Sequence, residues 1–277
     1  ESLVSGSFDC TCLLWNASGS CDNYNVLSGH KNAILDLKWS ADSEYVVTAS
    51  ADKNLGWFDA CTGSRVKRLM GHDGIVNAVD ISKSASTGGP SSMIVSGSDD
   101  GSAMVWDARV RGATMSMEHD YPVTAVALSN DGKTVYTGGL DNCIYAWDVR
   151  KQSSTGGGEK VMCMKGHGDT ITCLSVSPDG NFLLSNSMDQ SIRSWDIRPF
   201  VEGNNRLHKT FVGGTHNAEK GLLSCAWSAD GSMVSGGSAD RVVHVWDEMS
   251  AEELYYLPGH NGCVNTVIFH PKQNVIA

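Results

Sequence analysis

Basic residues are scarce in this chain of 277 residues, where 21 lysines and arginines stand against 31 aspartates and glutamates, for a net charge of −10. Domains that bind RNA or DNA tightly usually carry a basic stripe that neutralises phosphates. The one compact basic run is RVKRL, at 65–69. It is typical of an exposed strand edge, where lysine and arginine discourage pairing with another sheet. We therefore expect any association with RNA to be mainly indirect.

Paired cysteines and long apolar runs are also lacking. The nine cysteines include no C-x-x-C pair, and Cys10 and Cys12 are followed by no second pair of ligands. Since a zinc site needs four ligands at recognisable spacing, we expect no metal site and interpret the cysteines as reduced, buried apolar residues. No stretch of 18 apolar residues occurs, so we expect no transmembrane helix and no membrane association.

Common catalytic motifs are missing as well. The sequence has no G-x-S-x-G and no H-E-x-x-H, and the glycines of STGGGEK, at 154–160, are wrongly spaced for a phosphate-binding loop. One constellation needs an explanation. Ser187 and Asp189 stand in NSMDQSIRSWDIR, at 186–198, and His167 precedes them. Serine, histidine and aspartate are the residue types of a hydrolytic triad.

The chain carries one pattern six times. Each copy has a short apolar strand, an aspartate in a tight turn, and a second strand with an aromatic residue six positions after that aspartate. The aspartates and their aromatic residues are Asp9 and Trp15, Asp52 and Phe58, Asp100 and Trp106, Asp141 and Trp147, Asp189 and Trp195, and Asp240 and Trp246.

A histidine keeps step with this pattern. It stands in or near a Gly-His pair and precedes an alternating apolar run such as AILDLKWS or VTAVALS, at His30, His72, His119, His167, His216 and His260. Alternation with a period of two predicts strands. A repeat of 41 to 51 residues with four strands resembles a blade of the WD-repeat β-propeller family, whose signature is Gly-His followed by Trp-Asp.

The resemblance predicts an all-β fold, with a single seven-bladed WD-repeat β-propeller domain over 1–277. Because the chain begins and stops within the second strand of a repeat, the first and last blades are expected to be incomplete. The predicted blades are 1–28 (partial), 31–70, 73–118, 120–165, 168–213, 217–258 and 261–277 (partial).

The repeat gives the serine, histidine and aspartate another explanation. In blades of this family the histidine, the turn aspartate, a serine and the tryptophan resemble a buried hydrogen-bonded set, and these groups can satisfy one another in a chain. The serine of the set is predicted to be the one two residues before the aspartate, and three sets are then complete: His72, Ser98, Asp100 and Trp106; His167, Ser187, Asp189 and Trp195; and His216, Ser238, Asp240 and Trp246.

A protein does not need three identical active sites, so the sets are interpreted as structural. We expect no catalytic residue, no enzyme activity and no cofactor. Phe58 in the second blade and Gly139 in the fourth are expected to interrupt the set, because neither supplies the polar group that the pattern requires.

The residues just before the turn aspartates are predicted to lie at the top rim of a propeller. Apolar side chains there, with Tyr121 at the start of an inner strand, would suit protein binding. The alternative is that each packs against a neighbouring loop. The candidates are Phe8, Asp99, Tyr121, Leu140 and Met188. The insertions at 83–92, 151–160 and 198–209 are expected at the opposite face, with 151–160 as a flexible linker.

Several segments go beyond the general repeat. LLSNSMDQSIRSWDIRPF, THNAEKGLLSCAWSADGS and LLWNASGSCDNYNVLSGH resemble the family of WD-repeat subunits of the U5 small nuclear ribonucleoprotein. The resemblance implies a nuclear splicing component, a monomeric subunit of a large complex that performs no chemistry. Its implied partners are the large U5 scaffold protein and other spliceosome components.

A rival interpretation comes from another class of protein. The sequence W-D-x-R occurs three times, with its arginine at Arg109, Arg150 and Arg198. In substrate receptors of cullin-type ubiquitin ligases, a similarly placed arginine resembles the residue that docks the ligase adaptor. The alternative function is therefore that of such a receptor.

Overall fold

The computed structural model describes residues 2–17, 21–83, 93–152, 157–201, 205–216, 221–273 and 275–277. The predicted insertion at 83–92 lies outside the described residues except for its first residue. The chain forms two compact units: unit 1 comprises residues 1–135 and 147–161, and unit 2 comprises residues 136–146 and 162–277. In the described part of the chain, no helix has the length and apolar character needed to cross a membrane.

The regular structure consists of β-strands. The first twelve are β1 (Ser2–Gly6), β2 (Cys12–Asn16), β3 (Asn23–Leu27), β4 (Ile34–Trp39), β5 (Tyr45–Ser50), β6 (Asn54–Asp59), β7 (Arg65–Met70), β8 (Val76–Ile81), β9 (Met93–Ser98), β10 (Ser102–Asp107), β11 (Ala113–Glu118) and β12 (Val123–Leu128). They are followed by β13 (Thr134–Gly139), β14 (Cys143–Gln152), β15 (Gly158–Lys165), β16 (Ile171–Val176), β17 (Phe182–Ser187), β18 (Ser191–Asp196), β19 (Leu207–Val212), β20 (Cys225–Trp227), β21 (Met233–Gly236), β22 (Val242–Asp247) and β23 (Glu253–Pro258).

These strands form six sheets, in which strands that follow one another in the chain are neighbours. We call them blades one to six: β1–β3, β4–β7, β8–β11, β12–β15, β16–β19 and β20–β23. Neighbouring strands pair in antiparallel register throughout blades one, two, three, five and six. The all-β class predicted from the alternating runs is confirmed.

The number of blades differs from the prediction. The described residues form six sheets, five with four strands and one with three, instead of seven with incomplete ends. Residues 261–277 were expected to begin a seventh blade, but their described part contributes only an isolated bridge between Phe269 and Ile276. One bridge lacks the neighbouring strands that make a sheet stable, so the seven-blade prediction is wrong for this structure.

The aromatic residue of each repeat anchors an apolar core. In unit 1, Trp106 lies in one buried cluster with Leu69, on the outer strand of the preceding blade. In unit 2, Trp246 and Phe211 share a cluster in the same way. Burying a large apolar side chain contributes about 1.5–3 kcal/mol. The period of the sequence therefore sets the packing of one blade on the next within each unit.

Gly97 on β9 shows why small residues precede the turn aspartates. A Cβ atom at this position would lie 2.7 Å from Cγ1 of Val123 on β12. The inner strand of one blade therefore approaches the backbone of the other so closely that only glycine fits.

Two predictions about local structure are wrong. Residues 151–152 and 158–160, expected in a flexible linker, extend β14 and β15. Among the nine free cysteines only Cys12 and Cys225 are buried, whereas Cys21, Cys61 and Cys163 are exposed. Burial, together with the nearby charge of Asp9, raises the pKa of the Cys12 thiol to about 12. This thiol is therefore a packing residue.

Candidate functional site

The recurring aspartate closes six hairpin turns. One carboxylate oxygen, Oδ1, accepts a hydrogen bond from the backbone N–H two residues later, over 2.9 to 3.3 Å. The residue between them has a left-handed backbone, with φ from 61° to 79°, at Cys10, Lys53, Gly101, Asn142, Gln190 and Arg241. Aspartate recurs here because its carboxylate can close such a turn against its own backbone.

The second carboxylate oxygen binds the repeat histidine in three blades. Oδ2 lies 3.0 Å from Nδ1 of the histidine in the second blade, and 2.9 Å from it in the third and fifth. The same oxygen accepts the backbone N–H of the residue after the histidine, over 2.9 to 3.0 Å. These pairs are His30 with Asp52, His72 with Asp100, and His167 with Asp189. One carboxylate thus joins the turn to the loop before the inner strand.

A hydroxyl and an indole complete the set in the third and fifth blades. Nε2 of His72 lies 2.7 Å from Ser96 Oγ, and Trp106 Nε1 donates to the same Oγ over 2.8 Å. In the fifth blade the corresponding distances for His167, Ser185 and Trp195 are 2.6 and 2.8 Å. An ionised carboxylate can only accept, so Nδ1 carries the proton and Nε2 accepts from the serine. The chain of donors runs from indole to hydroxyl to imidazole to carboxylate.

The predicted serines are therefore wrong by two residues. Ser98 and Ser187 do not contact the histidine. Each accepts the backbone N–H of its turn aspartate, over 3.2 and 3.1 Å, and Ser187 also donates to the Asp169 carbonyl over 2.9 Å. Residues two apart on a strand share a face, so the sequence offered two serines and did not show which one reaches the imidazole.

A comparison of all six repeats does not decide between the two serines, because a hydroxyl residue also stands two positions before the aspartate in five of them. A hydroxyl residue stands four positions before the aspartate in five of them, at Ser5, Thr48, Ser96, Thr137 and Ser185. In the fourth blade Thr137 holds that position, two residues before Gly139. In the first blade Trp15 donates to Ser5 over 2.9 Å.

The second blade keeps part of the set. Nε2 of His30 lies 2.7 Å from Thr48 Oγ1. Phe58 is buried and its ring centroid lies 5.9 Å from that of His30. Since phenylalanine has no N–H, the chain of hydrogen bonds begins at Thr48, one member short.

The third predicted set, with His216, is wrong. No hydrogen bond joins His216 to Asp240, and Nδ1 of His216 is buried without a partner among the described residues. His244, on β22, contacts Asp240 instead: its Nε2 lies 2.9 Å from Asp240 Oδ2, and its Nδ1 lies 2.6 Å from Glu253 Oε1. Trp246 donates to the Val212 carbonyl over 3.1 Å.

Two glycines of the sixth repeat explain why His216 does not form the predicted set. Gly214 follows Gly213, where four of the other repeats have histidine after glycine, and Gly236 replaces the hydroxyl four residues before the aspartate. Ser238 accepts the Thr215 N–H over 2.9 Å. A cavity of about 10 Å³, lined by Gly214, His216 and Trp246 among others, lies at this place and has room for about one water molecule.

The residue four positions after the turn aspartate supplies this substitute partner. His244 holds that position in the sixth blade and Tyr145 in the fourth, where its hydroxyl donates to Asp141 Oδ2 over 2.6 Å. In the fifth blade Arg193 lies there, with Nη2 3.7 Å from Asp189 Oδ2. Tyr145 and His244, which looked unremarkable in the sequence, therefore bind the Oδ2 atom that the repeat histidine binds in the second, third and fifth blades.

These contacts shift the acidity of the buried groups. Burial acts to raise the pKa of Asp100, but hydrogen bonds from Ser102, His72 and the Asp73 backbone lower it to about 2. The same balance of burial against hydrogen bonds lowers the pKa of Asp189. Burial lowers the pKa of the His72 imidazole, against the opposing effect of Asp100. In the third blade the set is therefore held as a carboxylate beside a neutral imidazole.

Access decides what this arrangement can do chemically. Ser96, Ser185 and the tryptophans bound to them are buried, with exposures of 0% or 1%. A nucleophilic serine must reach a substrate carbonyl, with its histidine free to take up the proton. Here the hydroxyl is enclosed and already accepts an indole N–H. The arrangement satisfies buried polar groups and fastens loops to strands.

The predicted rim residues differ in exposure. In unit 1, Phe8 is 78% exposed, Tyr121 is 55% exposed, and the exposed Asp99 accepts a hydrogen bond from Asn77 Nδ2 over 2.6 Å. In unit 2, Leu140 is 48% exposed, whereas Met188 is only half-buried. Exposed apolar side chains on ordered loops are available for contact with another protein.

The three W-D-x-R arginines are engaged with their own aspartates. Nη2 of Arg109 donates to Asp107 over 2.8 Å, and Nη2 of Arg150 donates to Asp148 over 2.9 Å. Arg198 makes the same forked contact with Asp196. The hydrogen bonds from each arginine lower the pKa of its aspartate. Each fork fixes its arginine beside the end of a strand.

Metal binding finds no support in the described ranges. They contain no group of three or more histidine, cysteine, aspartate or glutamate side chains placed to hold an ion.

Comparison with protein families matches the chain five times to "WD domain, G-beta repeat", over residues 17–59, 63–107, 113–148, 158–196 and 207–247. Three similar relatives cover nearly the whole chain. The "U5 small nuclear ribonucleoprotein 40 kDa protein" of Dictyostelium discoideum is 47% identical over 99% of this chain and 74% of its own length. The human protein of the same name is 43% identical over 100% of this chain and 74% of its own. The "Pre-mRNA-splicing factor cwf17" of Schizosaccharomyces pombe is 44% identical over 99% and 77%.

Proposed function

Because this chain belongs to the WD domain, G-beta repeat family and, within it, to the family of the U5 40 kDa proteins, we propose that it is a protein-docking subunit of the U5 small nuclear ribonucleoprotein in pre-mRNA splicing. The observation that carries the proposal is identity of 43–47% with U5 proteins over 99–100% of the chain. Similarity of that extent covers the loops as well as the repeat signature.

The proposal includes a non-enzymatic role and a nuclear location. The residue types of a hydrolytic triad are accounted for by buried hydrogen bonds, with Ser185 and its partners enclosed. The net charge of −10 favours contact with protein over contact with the phosphate backbone. We propose that the chain contacts the large U5 scaffold protein and reaches RNA through other subunits.

Within each unit, we propose that the exposed rim residues contact protein partners. These candidates are Phe8, Asp99 and Tyr121 in unit 1, and Leu140 and Met188 in unit 2. Met188 offers the least surface, since it is half-buried. The role of ligase receptor is not favoured, because the relatives carry splicing names.

Affinity purification from nuclear extract tests the function. The tagged chain is recovered with and without ribonuclease, and its companions are quantified by mass spectrometry. The proposal predicts U5 proteins that persist after ribonuclease treatment. Recovery of a cullin adaptor instead of U5 proteins would support the rival function, and loss of all companions on ribonuclease treatment would contradict docking through protein.

Two rim variants and one control variant test the rim. Tyr121→Ala and Leu140→Ala should reduce recovery of U5 proteins. Val161→Ala, which removes a 48% exposed side chain from outer strand β15, should not. Equal recovery with all three variants would contradict the rim assignment while leaving the U5 association intact.

A further inference from the structure

Three loops of unit 1 form a surface that we call the acidic loops: 72–75, 99–101 and 118–121. We propose that the acidic loops bind a protein segment in which lysine or arginine residues flank an apolar anchor residue. The inference rests on the proposed docking function and names the chemistry of one of its partners.

The charge of these loops is one-sided. Their sequences, HDGI, DDG and EHDY, contain no lysine or arginine and five carboxylates: Asp73, Asp99, Asp100, Glu118 and Asp120. The corresponding loops of the second blade, HKNA at 30–33 and ADK at 51–53, hold two lysines. The acidic loops are therefore more negative than the corresponding loops of the second blade.

Hydrogen bonds donated by backbone N–H groups hold the three loops together. Asp73 N–H donates to Asp100 Oδ2 over 2.9 Å, and Asp99 N–H donates to the Ile75 carbonyl over 2.9 Å. His119 N–H donates to the Gly101 carbonyl over 2.8 Å. A surface fixed in this way loses little conformational entropy on binding, which favours affinity.

Two apolar side chains lie among the carboxylates. Tyr121 is 55% exposed and Ile75 is 37% exposed. Pro122 follows Tyr121 and restricts its backbone, so the ring is presented from a fixed position. A rigid aromatic side chain with a polar hydroxyl is a common anchor at protein interfaces.

The carboxylates differ in their availability. Asp100 is committed to His72, and Asp99 Oδ1 accepts from Asn77 over 2.6 Å. Glu118 accepts from Ser116 over 2.7 Å. Lys53 reaches these loops, where its Nζ donates to the Asp73 carbonyl over 2.7 Å. One ammonium against five carboxylates leaves the surface negative.

Charge complementarity identifies the occupant. Basic side chains would meet the negative rim, and an apolar residue between them would cover Ile75 and Tyr121. A nucleic acid would meet repulsion from its own phosphates. The partner is therefore a basic protein segment with an aliphatic or aromatic residue at its centre.

Selection from a random library of twelve-residue peptides, displayed on phage and panned on the full chain, provides the test. We expect enriched peptides to carry lysine or arginine on both sides of an apolar residue. Enriched peptides without basic residues, or the absence of any enriched sequence, would overturn the proposal.

Charge reversal locates the binding site of the selected peptides. In fluorescence anisotropy with a labelled selected peptide, the double variant Asp73→Lys, Asp120→Lys should weaken binding by about tenfold or more, and Tyr121→Ala by about tenfold. The double variant Glu44→Lys, Glu252→Lys makes the same charge change at exposed sites outside the acidic loops and should bind as the original chain does.

Thermal unfolding of each variant checks that it is folded. Equal binding by the folded charge-reversed variant would overturn the proposal. So would a labelled twenty-nucleotide RNA that binds the original chain and loses binding in that variant. Peptide binding without recovery of U5 proteins would contradict the proposed function alone, whereas recovery of U5 proteins with no basic peptide would contradict this inference alone.

Discussion

Ser185 places its Oγ 2.6 Å from Nε2 of His167, in the interior of the fifth blade. Ser187, two residues along the same strand, donates instead to the backbone carbonyl of Asp169. Two serines on one face of β17 thus have separate roles. The first links the indole of Trp195 to the imidazole, and the second secures the loop before the inner strand.

Replacing the histidine should destabilise the protein without removing any activity. His167→Ala would leave Ser185 and Asp189 without their shared partner, and an unpaired buried polar group costs about 1–3 kcal/mol. Urea unfolding followed by tryptophan fluorescence should show that loss. His260→Ala, an exposed histidine of the same repeat position, should change stability by less than about 0.5 kcal/mol. Ester hydrolysis that disappears in Ser185→Ala would contradict the structural role.

The two histidines of the sixth blade should differ sharply. His244 contacts two carboxylates and stacks on Trp246, with ring centroids 5.6 Å apart and planes at 14°. His244→Ala should lower the free energy of unfolding by about 1–3 kcal/mol, whereas His216→Ala should cost less because its Nδ1 has no hydrogen-bond partner in the described part of the chain. Thermal unfolding of the two variants measures the difference. A larger loss of stability for His216→Ala than for His244→Ala would support the set first predicted, in which His216 binds Asp240.

Acid should destabilise the protein in two steps. The pKa of His72 is lowered by burial, so below about pH 6.5 the unfolded chain binds more protons than the folded one and stability falls with pH. The pKa of Asp100 is about 2, against an ordinary value of 3.8. Its contribution is present above pH 3.8 and is lost as the pH falls towards 2.

Urea midpoints between pH 8 and pH 3 test both steps. They should be nearly constant from pH 8 to 7 and then fall, with a steeper fall below about pH 4. Asp100→Asn should weaken the second fall and leave the first in place. Stability that increases from pH 7 to pH 5 would contradict the assignment of a neutral, buried imidazole.

The turn geometry predicts opposite effects for two substitutions. Gly101 has φ 79°, and a Cβ there would lie 2.9 Å from the His119 carbonyl oxygen, so Gly101→Ala should destabilise by about 1–2 kcal/mol or more. Gln190 has φ 67°, and Gln190→Gly should relieve strain and raise stability by up to about 1 kcal/mol. Differential scanning calorimetry of both variants measures the two changes in stability. A change in the same direction for both variants would contradict the left-handed turn.

The repeat made the strands and the turn aspartates predictable, because alternation and turn chemistry act between near neighbours in the chain. Which serine joins His167 was not predictable, because both candidates share a strand face. His216 was misassigned because Gly214 holds the histidine position of the repeat and His216 lies two residues beyond it. Tyr145 and His244 were missed because their contact with the turn aspartate depends on how a strand leaves the turn.

The blade count failed for a different reason. Residues 261–277 follow the Gly-His pair at 259–260 and contain an alternating apolar run, which is the local requirement for a strand. A sheet also needs partner strands, and the described part of this segment pairs only at Phe269 and Ile276. The local sequence pattern gives a segment its tendency to form a strand, whereas the presence of partner strands determines whether a sheet forms.

A double-mutant cycle on His167 and Ser185 tests the central claim most directly. Urea unfolding of the single variants His167→Ala and Ser185→Ala and of the double variant gives their coupling energy, and the same cycle with Ser187→Ala is the control. Directly bonded partners are expected to couple by about 0.5–3 kcal/mol, and the control by much less. Coupling to Ser187 instead of Ser185, or no coupling in either cycle, would contradict the buried chain of hydrogen bonds that holds the blade.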